Sequence, residues 1–350
     1  MRVLQLIDSL APGGAERMAV TIANSLKPYV DRSYLVTTRK EGALKASLDP
    51  WVGYLFLKKE RSLDVKALRK LYTFVAKEKI THVHAHTTSY FLGTQLKILR
   101  PNIQLIWHEH HGKRAETEGK EHRVLRFCSS RFQTIITVNE ALETWCKEQL
   151  RCPQVTYLPN FVSDESFTSE NNERPKNIIC LANLRAPKNH LNLLQAFQNI
   201  AADFPDWQLL LVGTDYRDHY SEAIKSFIAK HDLQSQINVM GRRDDVQELL
   251  RTAAIGVLSS DHEGLPMALL EYGAARLAVV ATAVGQCSKV ISTFGHVVPK
   301  NTPDALAMAL RTLMNDPSGL QEYASAYQKH IQQQYSASAI MPQLMKQYSS

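Results

Sequence analysis

Two carboxylates, Glu263 and Glu271, bracket the segment Glu263-Gly264-Leu265-Pro266-Met267-Ala268-Leu269-Leu270-Glu271, with seven residues between them. The first follows an apolar run, residues 255–258, that reads as a short strand, and it sits against a Gly-Leu-Pro turn. Pro266 suits the first turn of a helix, where the N–H it lacks would have no intrahelical partner. Glu271 then lies about one turn into that helix, so one carboxylate projects from a loop and the other from the helix. The open N–H groups of a helix start fall between them and favour an anion. Hydroxyl acceptors beside a phosphate-friendly helix end suit a ligand with both groups, such as a nucleotide sugar. An ordinary amphipathic helix carries Glu pairs at this spacing too, and the turn and preceding strand tip the reading towards chemistry.

Other strand ends carry matching residues. Asn183-Leu184-Arg185-Ala186-Pro187-Lys188-Asn189 follows the apolar run 178–182. Arg185 and Lys188 at such a turn suit a diphosphate, one as a fork of donors and the other as a point charge. The bland alternative is a solvated basic loop. Val212-Gly213-Thr214 and Gly241-Arg242-Arg243-Asp244-Asp245-Val246 mark two more strand-end loops, suited to the nucleoside end of a ligand. Near the start, Gly13 and Gly14 allow backbone N–H groups to approach a phosphate or sugar oxygen closely. The loop is neither the dinucleotide fingerprint nor a Walker A loop, and a plain tight turn with Glu16 as a helix-start acid fits it equally.

Trp107-His108-Glu109-His110-His111 and His82-Val83-His84-Ala85-His86 concentrate imidazoles at two further strand ends. A zincin needs His-Glu-x-x-His on a helix, and this spacing differs. A strand-end loop that hydrogen-bonds sugar hydroxyls fits better, with one or two of the six touching ligand and His108 and His111 the leading candidates.

These residues are spaced by an alternation of strand-like and helical segments. In the first half, strands are expected at 3–7, 34–37, 54–57, 81–84, 104–107 and 134–138, with helices near 15–27, 64–78, 89–99, 119–131 and 140–150. A polar stretch, 169–177, reads as a linker. Strands then recur at 178–182, 208–212, 237–239, 255–258 and 278–281, and helical material fills 302–348. This order predicts an α/β chain of two doubly wound parallel-sheet units, Rossmann-like in layout, over 1–168 and 177–334, with ligand in a cleft at the strand carboxyl ends. A length of 350 residues agrees with two units.

The net charge of +7 is uneven: residues 1–165 hold 25 Lys/Arg against 17 Asp/Glu, and the remainder 16 against 17. A basic first unit implies an anionic partner. Nucleic acid is disfavoured, because no helix-turn-helix, zinc spacing or ribonucleoprotein motif is present. The five scattered cysteines read as reduced thiols. No apolar run approaches the roughly 18 residues of a membrane span, so a soluble, cytoplasmic protein is expected.

Taken together, Gly13-Gly14-Ala15-Glu16, Leu158-Pro159-Asn160-Phe161-Val162, Arg185/Lys188, Gly241 to Val246 and Glu263-Gly264-Leu265-Pro266…Glu271 resemble the retaining glycosyltransferases of family 4, with the GT-B fold. The resemblance implies that Arg185 and Lys188 neutralise the departing diphosphate, in place of a metal and with no cofactor beyond a nucleotide sugar, UDP-linked by expectation. Glu271 would accept from the ribose diol, Glu263 from the transferred sugar, and the N–H groups of Gly264 and Leu265 would face the β-phosphate. Gly241 and Arg242 would complete the donor site, and Gly13 and Gly14 would line it from the acceptor-binding unit. His108, or His111 after a shift of loop register, would contact the sugar near the reacting carbon. A final helix, about 335–350, would pack back on the first unit. One departure stands out. Where relatives carry Val-Gly-Gly-x-x-Glu, this chain reads Val284-Gly285-Gln286-Cys287-Ser288-Lys289.

The basic stretch Lys113 to Arg131, interleaved with Val124, Leu125 and Phe127, suits an anionic membrane surface, worth about 1 kcal/mol per cation. A solvated helix face is the bland reading. The expected acceptor is a glycan or a lipid-diphosphate-linked sugar of bacterial surface polysaccharide or lipopolysaccharide assembly. A nucleotide-sugar epimerase and a non-catalytic sugar-nucleotide-binding subunit are the alternatives on the same scaffold.

Overall fold

The computed structural model describes residues 1–112, 114, 120–167 and 174–349, and the chain divides into two compact units, Met1–Phe161 with Ala337–Ser350, and Val162–Ser336. In the first unit the order is β1 (Arg2–Ser9), α1 (Gly14–Ser25), β2 (Arg32–Lys40), β3 (Gly53–Phe56), α2 (Val65–Lys77), β4 (His82–His86), α3 (Tyr90–Leu99), β5 (Gln104–Glu109), α4 (Lys120–Ser129), β6 (Thr134–Thr137), α5 (Glu140–Gln149) and β7 (Gln154–Tyr157). Its seven strands are parallel and ordered β3-β2-β1-β4-β5-β6-β7. Apart from β4, with His84 at its centre, the inner strands are largely apolar through their middles because helices cover both faces, as parallel sheets require. Helix α2 shows how the cover forms. Asp64 caps it by accepting from the Ala67 N–H at 3.0 Å, and Ala67, Leu71 and Val75, four residues apart, are its buried stripe.

The second unit runs β8 (Asn177–Leu181), α6 (His190–Ala201), β9 (Gln208–Val212), α7 (His219–Lys230), β10 (Ile237–Gly241), α8 (Val246–Arg251), β11 (Ile255–Leu258), α9 (Met267–Ala274), β12 (Ala278–Thr282), α10 (Cys287–Ile291), β13 (His296–Val298), α11 (Pro303–Asn315) and α12 (Pro317–Tyr335). Its six strands are ordered β10-β9-β8-β11-β12-β13 and are again parallel. In both sheets the chain winds one way from the first strand and then crosses to its other side. The crossings create switch points between β1 and β4 and between β8 and β11, where the connecting loops part and leave a crevice.

The units exchange at 161/162, earlier than the polar stretch 169–177 suggests. Val162 donates its N–H to the Tyr335 carbonyl at 2.9 Å, pairs with Ser336 and is buried in the second core. The polar stretch lies partly outside the described residues. The last helix, α13 (Ala337–Ser349), belongs to the first unit, where Ile340, Met341 and Leu344 are buried in one core with Val3, Ile106 and Ile136. Two short strands, β7 and β13, close the sheets; neither carries enough apolar residues to stand out in the sequence.

Candidate active site

The loops after β8 and β11 meet at the switch point of the second unit. Lys188 Nζ donates to Glu263 Oε1 at 2.6 Å, and the Ser260 hydroxyl donates to the same oxygen at 2.6 Å. Both charged side chains are mostly buried, at 24% and 9% exposure. The loop backbones are laced together as well. Ser259 Oγ donates to the carbonyls of Lys188 and Asn189 at 3.1 Å, and the Asp261 N–H donates to Pro187 at 2.8 Å. Asn189 adopts a left-handed conformation, caps α6 and donates to Asp261 Oδ1 at 2.7 Å. The Lys188 N–H reaches back to the Arg185 carbonyl at 3.0 Å, so Arg185 and Lys188 share one tight turn. The Arg185 guanidinium lies over the ring of Tyr216, 5.8 Å from its centroid.

Tyr272 explains why the crevice opens here. Strands β8 and β11 pair only through Ile178 with Ile255 and Ile179 with Gly256. Beyond that point the Tyr272 hydroxyl enters the ladder, accepting from the Leu181 N–H at 2.7 Å and donating to the Val257 carbonyl at 3.2 Å. Gly256 makes room for the ring: a Cβ there would stand 2.4 Å from it. The phenol thus replaces a direct strand-to-strand bond and holds the strand ends apart without orphaning their polar groups. Its burial pushes its acidity well below that of an ordinary phenol, so it stays protonated. The neighbouring Glu271 is buried on α9, one turn into the helix that starts after Pro266.

The loop after β12 supports the same turn. Gly285 adopts φ +53°, and a Cβ there would meet the Glu263 carbonyl oxygen at 2.1 Å, so only glycine fits without movement. The Gln286 N–H donates to the Gly264 carbonyl at 2.9 Å. The departure at Gln286 and Lys289 therefore leaves this backbone support in place. Leu265 is buried in the core of the unit, with its backbone in the Glu263 loop. Gly241, at φ +65°, has open space where a Cβ would project, and its carbonyl accepts from Gly213 at 3.0 Å. Arg242 is half-exposed and faces Asp244 at 3.4 Å.

In the first unit the β1 end is held by Asp8, whose carboxylate accepts from the hydroxyls of Thr38, Thr88 and Ser89. Gly13 is the extended residue preceding α1, Gly14 is the first helical residue, and the Glu16 carboxylate folds over Gly13. An internal carboxylate therefore occupies this helix start.

The histidines divide differently from the sequence expectation. His108 is within β5 rather than on a loop, in register with His86, and is buried among other imidazoles at 1% exposure. The strand simply runs two residues further than its apolar segment. His111 is the exposed one. Its backbone N–H and Nδ1 approach Glu109 Oε1 at 2.7 and 3.0 Å, and this hydrogen-bonded carboxylate raises the basicity of the imidazole. Glu109 is itself buried and bonded to Arg114. His82 and His84 contact the Tyr348 carbonyl at 3.0 Å and hydroxyl at 2.7 Å, on α13.

The second unit thus brings together Arg185, Lys188, Glu263, Gly264, Leu265 and Glu271, joined by Ser260, Tyr272 and Gly285, which the sequence reading did not single out as site residues. Gly285 was visible as a glycine just past a strand; Tyr272 looks like any other residue of an apolar helix.

Comparison with known proteins agrees with this architecture. The family described as "Glycosyl transferases group 1" matches residues 162–332, and that described as "Glycosyltransferase Family 4" matches residues 12–166. A Haemophilus influenzae protein named as an uncharacterized glycosyltransferase is 24% identical over 327 residues, 87% of this chain and 88% of that protein. The Escherichia coli UDP-Gal:alpha-D-GlcNAc-diphosphoundecaprenol alpha-1,3-galactosyltransferase is 24% identical over 279 residues, 72% of this chain and 71% of that protein. The crystal structure of Anabaena Alr3699/HepE in complex with UDP and glucose is similar with a TM-score of 0.84 at 19% identity, covering 100% of this chain and 99% of that one. Matched through both of its units, the chain belongs to the group 1, family 4 glycosyltransferases and has their GT-B fold.

Proposed function

We propose that this glycosyltransferase moves a hexose or N-acetylhexosamine from a UDP-sugar to a glycan or lipid-diphosphate-linked acceptor, with retention of anomeric configuration. The observation that carries the reading is the meeting of Lys188 and Glu263 at 2.6 Å across the β8/β11 switch point, beside Arg185 and the start of α9. In the proposed mechanism the sugar–phosphate bond lengthens, positive charge grows on the sugar ring, and negative charge grows on the diphosphate. Arg185, Lys188 and the N–H groups of Gly264 and Leu265 stabilise the diphosphate, a fixed electrostatic arrangement that needs no reorganisation as charge develops. Lys188 turns from Glu263 towards phosphate, and Glu263 takes sugar hydroxyls in its place. Glu271 receives the ribose hydroxyls. The cations do the work of a metal at the diphosphate, so transfer proceeds without one.

A donor linked to UDP is supported by the UDP and glucose bound to Anabaena HepE, and a lipid-diphosphate acceptor by the name of the Escherichia coli relative. The setting would be bacterial surface polysaccharide or lipopolysaccharide synthesis at the inner face of the cell membrane. Among the described residues no helix is long and apolar enough to cross a membrane, and the proposed attachment is peripheral. The neighbouring helices α2, α3 and α4 expose Val65, Tyr72, Ile98, Val124 and Phe127 beside lysine and arginine residues. Lys113 and the segment 115–119 of the expected basic stretch lie outside the described residues.

The test is a titration with UDP and GDP in the presence of EDTA, followed by product analysis with a UDP-sugar and a lipid-diphosphate acceptor. UDP binding that survives EDTA and an axial product linkage from an axial donor are expected. Binding of neither nucleotide, or an inverted product, would overturn the reading.

A further inference from the structure

Four imidazoles meet near the carboxyl ends of β4 and β5. The ring centroids of His84 and His86 are 4.6 Å apart, those of His84 and His108 5.2 Å, and those of His108 and His110 4.0 Å. His84, His86 and His108 are buried, and one nitrogen from each lies within 4.8 Å of the other two. Filling this space needs no polar atoms, yet His84 Nε2 and both nitrogens of His108 are buried without a hydrogen-bond partner. Each such atom costs about 1–3 kcal/mol. Unpartnered nitrogens on His84 and His108, each ring offering one nitrogen within 4.8 Å of the other and of His86, call for a ligand that accepts lone pairs.

The bonds on the far sides of the rings point to the same ligand. The Gln5 side-chain carbonyl stands 2.9 Å from His86 Nε2 and can only accept, so that nitrogen carries the proton and Nδ1 keeps its lone pair. The Tyr348 hydroxyl stands 2.7 Å from His84 Nδ1 and also receives the Gln5 amide at 3.4 Å. An ion on His84 Nε2 would put the ring proton on Nδ1, where the Tyr348 oxygen accepts it. An imidazole whose outer N–H is held by an oxygen while its inner nitrogen is open is the arrangement of a metal-ligating histidine.

We infer that His84, His86 and His108 bind one divalent transition-metal ion of the zinc type, through His84 Nε2, His86 Nδ1 and one nitrogen of His108. An all-imidazole donor set selects zinc, cobalt, nickel or copper over magnesium and calcium. His86 Nδ1, now 3.0 Å from His110 Nε2, exchanges that contact for the ion. The inference stands apart from the transfer reaction, in which the ion takes no part. Where His108 does reach the sugar, occupancy by zinc inhibits transfer, and that consequence alone rests on the proposed function.

The experiment is a titration of the purified full chain with Co²⁺, followed by visible absorption and calorimetry, with UDP binding measured in parallel. One site per chain with imidazole-type d–d bands is expected, displaced by Zn²⁺ and lost in His84→Gln while UDP binding is kept. Tyr348→Phe keeps the shape of the ring but removes its oxygen, and weakens Co²⁺ binding about 10–100-fold. Absence of Co²⁺ binding, binding unchanged in both variants, or a sulfur-to-cobalt charge-transfer band marking a cysteine site would each overturn the assignment.

Discussion

Lys188 and Glu263, 75 residues apart in sequence, share a 2.6 Å ion pair in which Ser260 is the third member. The pair keeps a mostly buried carboxylate satisfied. Lys188→Ala leaves that carboxylate with only the Ser260 hydroxyl among these partners and costs about 1–3 kcal/mol. Adding Glu263→Gln to Lys188→Ala recovers most of the stability, yet UDP binding stays at least 10-fold weaker. Chemical denaturation and calorimetry on both variants read the two effects separately; recovery of UDP binding in the double variant would show that Lys188 does not hold the diphosphate.

Tyr272 tests the wedge at the switch point. Tyr272→Phe keeps the ring and leaves the Leu181 N–H and Val257 carbonyl without the hydroxyl that joins them. A loss of about 1–3 kcal/mol is expected, with slower transfer at saturating donor because Glu271 shares the helix. A variant as stable as the parent would mean that the hydroxyl is not structural.

The glycines separate backbone fit from ligand contact. Gly285→Ala forces a Cβ against the Glu263 carbonyl oxygen at 2.1 Å and strains a left-handed residue, so the free protein loses stability and nucleotide affinity together. Gly241→Ala meets nothing within 4 Å, so its cost to the free protein is the left-handed backbone at φ +65° alone, about 1–2 kcal/mol. A drop in UDP affinity beyond 10-fold in Gly241→Ala, with melting temperature little changed, would place ligand against that backbone. Unchanged affinity would remove Gly241 from the site.

His190 makes the stability of the second unit pH-dependent. Burial holds its imidazole down to about 4, against 6.5 when unfolded. As pH falls through 6.5 the unfolded chain takes up the proton first. The stabilisation is therefore complete above about pH 6.5 and is lost progressively towards pH 4. Between pH 7 and pH 5 the contribution is about 2 kcal/mol. Urea denaturation of His190→Gln should show a shallower loss than the parent over this window, and parallel curves would refute the assignment.

The exposed apolar residues on α2 and α4 give a membrane test. Val65 and Phe127 are 80% and 60% exposed, and removing both in Val65→Ser/Phe127→Ser should reduce flotation with anionic liposomes several-fold while UDP binding is unchanged. No flotation of the parent protein would end the proposal of peripheral attachment.

Much of this molecule was legible in its residues alone. Strand period, helix period and turn chemistry are local properties, so the α/β alternation, the two parallel sheets and the glycine-bearing strand-end loops could be read from neighbouring side chains. The Glu263-Gly264-Leu265-Pro266…Glu271 segment also carries its own strand, turn and helix start within a few residues. What the tertiary structure decided is whatever depends on crossovers. The order β10-β9-β8-β11-β12-β13 brings the loops after β8 and β11 together, and no local pattern encodes that Lys188 meets Glu263 or that Tyr272 enters the ladder between β8 and β11. The same holds for α13 in the first unit, where Tyr348 reaches back to His84 across 264 positions. The histidines show the limit most plainly. Their alternation announced a strand end, but whether an imidazole faces ligand, solvent or three other imidazoles is settled only when β4, β5 and α13 pack, because burial is a property of the assembled layers.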